Sequence, residues 1–244
     1  MQPDDFQKHS VANTMSHDLF AELMKQFYEL GWMRGSGGAM GCIAGKYLLV
    51  SPSALQKERI HESDIFAYDL QDKTCNHGAS HSKKFTVSSC AVLFSSIMKK
   101  TGSECVIHTH SKAANLITQL VKQDTFEISH QEYIKGVYDP FSGANLRFDD
   151  TLVIPIIENR PSESQLLEPI EEVLQNYPRS VAVLVKNHGL FVWGPTWEMA
   201  KIMTECIDYL LDLAVDMIRN NLPLVREEAS SPEKVDYLET VFEQ

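Results

Sequence analysis

The sequence predicts a single α/β domain in which helices flank a mainly antiparallel sheet. Three observations predict it. Helix-like and strand-like segments intermix along the chain, the pattern of a layered α/β architecture. Residues 151–157 and 181–185 are apolar and β-branched, as strands buried on both faces are. Residues 181–185 and 190–193 are separated by a turn too short for the crossover that parallel neighbours need, so a hairpin interrupts any βαβ pattern. No repeat or interdomain linker divides the 244 residues, a length that suits one large domain.

Residues 1–16 are polar and read as a flexible N-terminal tail. The domain proper spans 17–222. Over 17–30, Leu19, Phe20, Leu23, Met24, Phe27 and Leu30 recur at helical spacing, and Gly31 stands where such a helix would stop. A flexible glycine-rich segment, Gly35 to Gly38, follows. Residues 47–50 and 65–70 read as strands, 71–84 as an exposed polar loop and 87–100 as a helix. A short strand over 104–107 runs into His108-Thr109-His110, and Ser111 caps a helix to Val121. Residues 163–176 form a helix ended before Pro178. Pro195 takes the first position of a long helix to Arg219. Residues 223–244 are charged and read as a C-terminal tail.

The net charge of −11 and the pI of about 5.3 repel a phosphate backbone, which excludes nucleic acid as a partner. An anionic small molecule would need a local positive site. The five cysteines are odd in number and scattered, without a CxxC, so a reducing compartment and a cytoplasmic location are expected. The N-terminus lacks the apolar core of a signal peptide, and no stretch approaches the ~20 apolar residues of a membrane span.

Chemistry concentrates at a few positions. On a strand, residues two apart share a face, so His108 and His110 can close on one cation. His188 lies between two apolar runs, in a turn where Gly189 is expected to take a dihedral other residues avoid. Three imidazoles with an open fourth position make a catalytic zinc site, and imidazole suits Zn²⁺ better than Mg²⁺ or Ca²⁺. Glu132 is a carboxylate able to fold back over the pair and move protons without binding the metal, with His130 its rival or supporting partner. Backbone N–H groups of Gly35 to Gly38 can cradle a phosphate, with Ser51, Ser53 and Lys57 adding donors. Cys90 opens a helix, where a thiol can be polarised. Each of these has a plainer reading: strand-end or turn histidines, a surface acid, an ordinary glycine turn, a small buried thiol.

Six segments together resemble the class II aldolase/adducin family over residues 17–222. They are Lys25-Gln26-Phe27-Tyr28 with Leu30-Gly31-Trp32; Ser53 with residues 56–60; the run from Val106 through His108-Thr109-His110-Ser111-Lys112-Ala113-Ala114; His130-Gln131-Glu132 with Ile134-Lys135-Gly136; Pro155 to Asn159; and His188-Gly189 with Val192-Trp193-Gly194. The third and fourth resemble the family's sugar-phosphate dehydratase branch. The resemblance implies αβα layers built on a mixed, mostly antiparallel sheet, and one zinc per subunit held by His108, His110 and His188. It implies Glu132 as proton donor and acceptor, and Cys90, Ser36, Gly37, Gly38 and Ser53 as substrate-binding residues. It also implies a homotetramer with active sites near subunit boundaries. Family aldolases carry a glutamate shortly before the HxH pair, where this chain has Ser88-Ser89-Cys90; that favours dehydration over aldol cleavage or epimerisation. A non-catalytic adducin-like module is the further alternative. The glycine loop departs from the branch at Ala39-Met40-Gly41, and Ala54 stands where glycine is usual. A Gly41→Ser change is therefore expected to restore a phosphate donor and tighten substrate binding.

Overall fold

A computed structural model describes residues 15–71, 74–77 and 85–226. Ser16 caps α1 (His17–Glu29) by accepting from the Leu19 N–H, and Phe20, Leu23, Met24 and Phe27 give the helix one buried face. β1 (Ala39–Ala44) and β2 (Tyr47–Val50) form a hairpin. β3 (Phe66–Asp69) pairs with β4 (Cys75–His77), so the supposed loop over 71–84 contains an edge strand. α2 (Ala91–Thr101) begins later than its apolar run. Val87 is instead bridged to Pro52, and Ser88 N–H donates to the Ser51 carbonyl. β5 (Cys105–Thr109) and α3 (Lys112–Leu120, capped by Ser111) follow. β6 (Thr125–Ser129) precedes the short 3₁₀ helix Glu132–Gly136 and a two-residue ribbon, β7 (Tyr138–Asp139) with β8 (Ala144–Asn145). β9 (Thr151–Ile157), α4 (Leu167–Asn176), β10 (Ala182–Val185), β11 (Gly189–Gly194) and α5 (Trp197–Arg219) complete the order. Thr196 caps α5, so Pro195 precedes the cap rather than opening the helix.

The main sheet runs β4-β3-β2-β1-β5-β11-β10-β9-β6. Only its β9–β10 pairing is parallel among the described residues. Strand alternation separates the helices. Ile107, Leu190 and Leu184 face α1, α3 and α5, while Val106, Phe191 and Val183 face α2 and α4. The result is the three-layer αβα sandwich that the family resemblance implies. Beyond Leu222 the chain stays on the body as far as Arg226, whose N–H donates to Ser129 Oγ. The rest of both tails lies outside the described residues. No described helix is long and apolar enough to cross a membrane.

Candidate metal centre

β5 delivers the first histidine. His108 is fully buried and stacked on Phe191 of β11, with 3.9 Å between ring centroids and 13° between planes. Its Nδ1 lies 3.1 Å from the Leu190 carbonyl. A carbonyl can only accept, so Nδ1 carries the proton and Nε2 is left bare. His110 stands just past the strand end, held where its backbone N–H donates to the Trp32 carbonyl at 2.7 Å. His188 comes from the turn between β10 and β11, and its Nδ1 lies 3.1 Å from Asn159 Oδ1, which leaves its Nε2 bare as well.

The three Nε2 atoms converge. That of His110 is 3.0 Å from His108 Nε2 and 2.9 Å from His188 Nε2. Two nitrogens bound tetrahedrally to one zinc at about 2.0–2.1 Å stand about 3.3 Å apart. A proton on His110 would serve one of the two contacts; a cation serves both. The donor set therefore fits zinc. Burial holds His108 well below the ordinary 6.5, with His110 and His188 adding to the effect. Burial, then His188 and Lys57, bring His110 to about 4. His188 is lowered by burial. All three are neutral at pH 7, the form that binds metal.

The backbone around them is built for close approach. A Cβ on Gly189 would lie 1.9 Å from the Thr109 carbonyl oxygen, so no side chain fits there. The left-handed residue of the turn is Asn187, at φ 55°, not Gly189. A Cβ on Gly37 would lie 2.4 Å from His110 Nδ1, and Gly38, at φ 70°, is pressed against Met33 and the His108 carbonyl. Lys57 is buried beneath this loop and donates to the carbonyls of Ser36 at 2.9 Å and Leu55 at 3.0 Å. It thus ties the Ser36–Gly38 loop to the segment carrying Ser53, whose own N–H donates to the Thr86 carbonyl. Burial pulls the Lys57 ammonium down to about 8.

Other expected residues are placed differently. Cys90 precedes α2 but is buried; burial pushes its thiol far up, and the Glu163 carboxylate adds to the rise, so the helix start does not activate it. Gly41 is no loop donor. It lies inside β1, paired with Val50 and Val106, and a Cβ there would stand 2.6 Å from Phe94. Glu132 opens the short helix after β6, is exposed, and pairs with Lys135. His130, at φ 58°, lies 3.0 Å from Ser129 Oγ through its Nδ1. The carboxylate found with the three imidazoles is Glu163, whose ligand-type oxygen and their nitrogens all lie within 4.8 Å of one another. Sequence reasoning missed it. It stands in a Ser162–Gln165 capping box and reads as a helix start.

A three-layer sandwich with a histidine centre at one end of β5 and β11 defines a class. The chain belongs to the class II aldolase and adducin N-terminal domain family, which matches residues 18–215. It is 71% identical over 214 residues to a probable methylthioribulose-1-phosphate dehydratase of Caenorhabditis elegans, covering 88% of this chain and 81% of that protein. It is 48% identical over 199 residues to the Homo sapiens methylthioribulose-1-phosphate dehydratase, covering 82% of each. In fold it is similar to an L-fuculose 1-phosphate aldolase, with a TM-score of 0.66 at 17% identity over 88% of this chain and 93% of that one.

Proposed function

We propose that this chain is a zinc-dependent hydro-lyase that converts 5-methylthioribulose 1-phosphate into 2,3-diketo-5-methylthiopentyl 1-phosphate and water, a step of methionine salvage in the cytoplasm. The carrying observation is the convergence of three imidazole Nε2 atoms, those of His108 and His188 bare, in a chain 71% identical to a relative bearing that dehydratase name. Zinc bound by His108, His110 and His188 would polarise the C2 carbonyl and acidify the C3 hydrogen. Leu190 and Asn159 fix which nitrogens of His108 and His188 face that position. The Gly38 N–H with the hydroxyls of Ser36 and Ser53 holds the phosphate against Gly37, whose own N–H donates to the Arg34 carbonyl at 3.2 Å, with Lys57 organising their loops and Cys90 lining the pocket. Glu132 takes the C3 proton and protonates the departing C4 hydroxyl. The resulting enol becomes the diketone. Glu132 is exposed and is not one of the side chains gathered in its own centre. In a homotetramer with sites at subunit boundaries it serves a neighbour.

The test is steady-state kinetics on 5-methylthioribulose 1-phosphate beside fuculose and ribulose phosphates. Dehydration of the first, with the diketone as product, is expected. Cleavage or epimerisation of the others without dehydration of the first would replace this reading with an aldolase or epimerase.

A further inference from the structure

We propose that Glu163 is the fourth protein donor of the metal centre, an exchangeable carboxylate that closes the cation's open position until substrate displaces it. The inference rests on the zinc reading of the histidines but not on the substrate assigned. Its ground is the charge balance of the cluster. His108, His110, His188 and Glu163 bring their ligand atoms within 4.8 Å of one another. Two of the imidazoles present bare nitrogens, fixed by carbonyl acceptors on their far sides. The carboxylate adds a negative charge to the same space. Ser89 Oγ donates to its Oε2, and among the described residues it forms no ion pair with lysine or arginine. Lone pairs and a carboxylate facing one point need a cation there, and three nitrogens plus one oxygen complete zinc's preferred tetrahedron.

The four donors differ in how firmly they are held. His108 is locked in the middle of the sheet, and His188 in a turn where Gly189 touches the neighbouring strand. Glu163 instead begins the short 3₁₀ helix Glu163–Leu166 and is half-buried, after a surface stretch in which residues 159–162 are exposed. The same stretch supplies Asn159 to His188. One surface segment thus sets the tautomer of one ligand and provides another, and it is the part of the centre that can yield without disturbing the sheet.

The test uses the full chain without substrate, as wild type, Glu163→Gln, Glu163→Ala and His108→Ala. Zinc affinity is measured by chelator competition, and coordination by the visible absorption of the Co²⁺-substituted proteins. Glu163→Gln keeps the side-chain volume, and thermal melts check that both Glu163 variants fold. The expected result is zinc binding weakened about tenfold or more in both, with a changed Co²⁺ spectrum. Unchanged affinity would overturn the proposal and leave the three-histidine centre standing. Weakened affinity with an unchanged spectrum would make Glu163 a neighbour of the metal rather than a ligand, and would overturn it too. Full affinity in His108→Ala would instead sink the zinc reading itself.

Discussion

At the scale of single residues, this centre is defined by what cannot be larger. Gly37 and Gly189 leave room for His110 and for the end of β5, and a methyl group at either would collide with atoms that cannot move far. The histidines themselves were legible, because two-residue spacing on a strand and a histidine in a turn are patterns of backbone geometry. Gly189 was legible as special, but for the wrong reason: close approach constrains it, while Asn187 adopts the left-handed dihedral. Gly41 was misread because a run of Gly, Ala and Met hides where the loop ends and β1 begins. Its structure reverses the expectation for Gly41→Ser. The added side chain meets Phe94 in the core, so stability should fall by about 1–3 kcal/mol, the usual cost of overpacking. Denaturant melts check it. A variant as stable as wild type with a lowered KM would restore the phosphate-donor reading.

At the scale of elements, helices with full apolar faces and strands rich in β-branched residues were legible, and their order already implied layers. β1, β4 and β6 were not found. β4 has only three residues, β1 is built from small and flexible residues (Ala-Met-Gly-Cys-Ile-Ala), and β6 carries Thr, Glu and Ser among its five; pairing with neighbours, not local propensity, makes them strands. Glu163 was invisible at this scale too, since only the folding of 158–163 across the β10–β11 turn brings it to the histidines. Away from the centre, Arg179, just before β10, pairs with buried Asp139 of β7 at 2.6 Å. The Arg179 guanidinium holds the Asp139 carboxyl at about 2, against an ordinary 3.8. The folded state thus binds this proton less tightly than the unfolded chain. The pair's stabilisation is full above about pH 4 and is lost as pH falls through 2. Arg179→Ala should therefore destabilise the protein at pH 6 and much less near pH 2, read from urea melts across that range. An equal loss at both ends would show that the pair carries no proton linkage.

At the scale of the whole molecule, the Glu132–Gly136 helix buries Ile134 and turns Glu132 and Tyr133 outward. Tyr133 stacks on Tyr209 of α5 with 4.0 Å between centroids, both rings about half exposed, beside Glu132. If Glu132 acts on a neighbour's centre, two inactive variants should repair each other. His108→Ala lacks metal and Glu132→Gln lacks the proton carrier. Unfolded together and reassembled as equal mixtures, they should recover about a quarter of wild-type activity, because random assortment across each boundary joins the two intact halves that often. No recovery in tetramers shown to be mixed would place both functions in one chain, and a monomer in light scattering would remove the boundary altogether. The proposed chemistry turns on the metal, and one measurement reaches it directly: zinc content and dehydration of 5-methylthioribulose 1-phosphate, determined on the same samples of wild type and of His108→Ala/His110→Ala. The expected result is about one zinc per wild-type chain, loss of turnover on chelation with recovery on adding zinc, and neither metal nor activity in the double variant. Full metal content or undiminished turnover in that variant would contradict it.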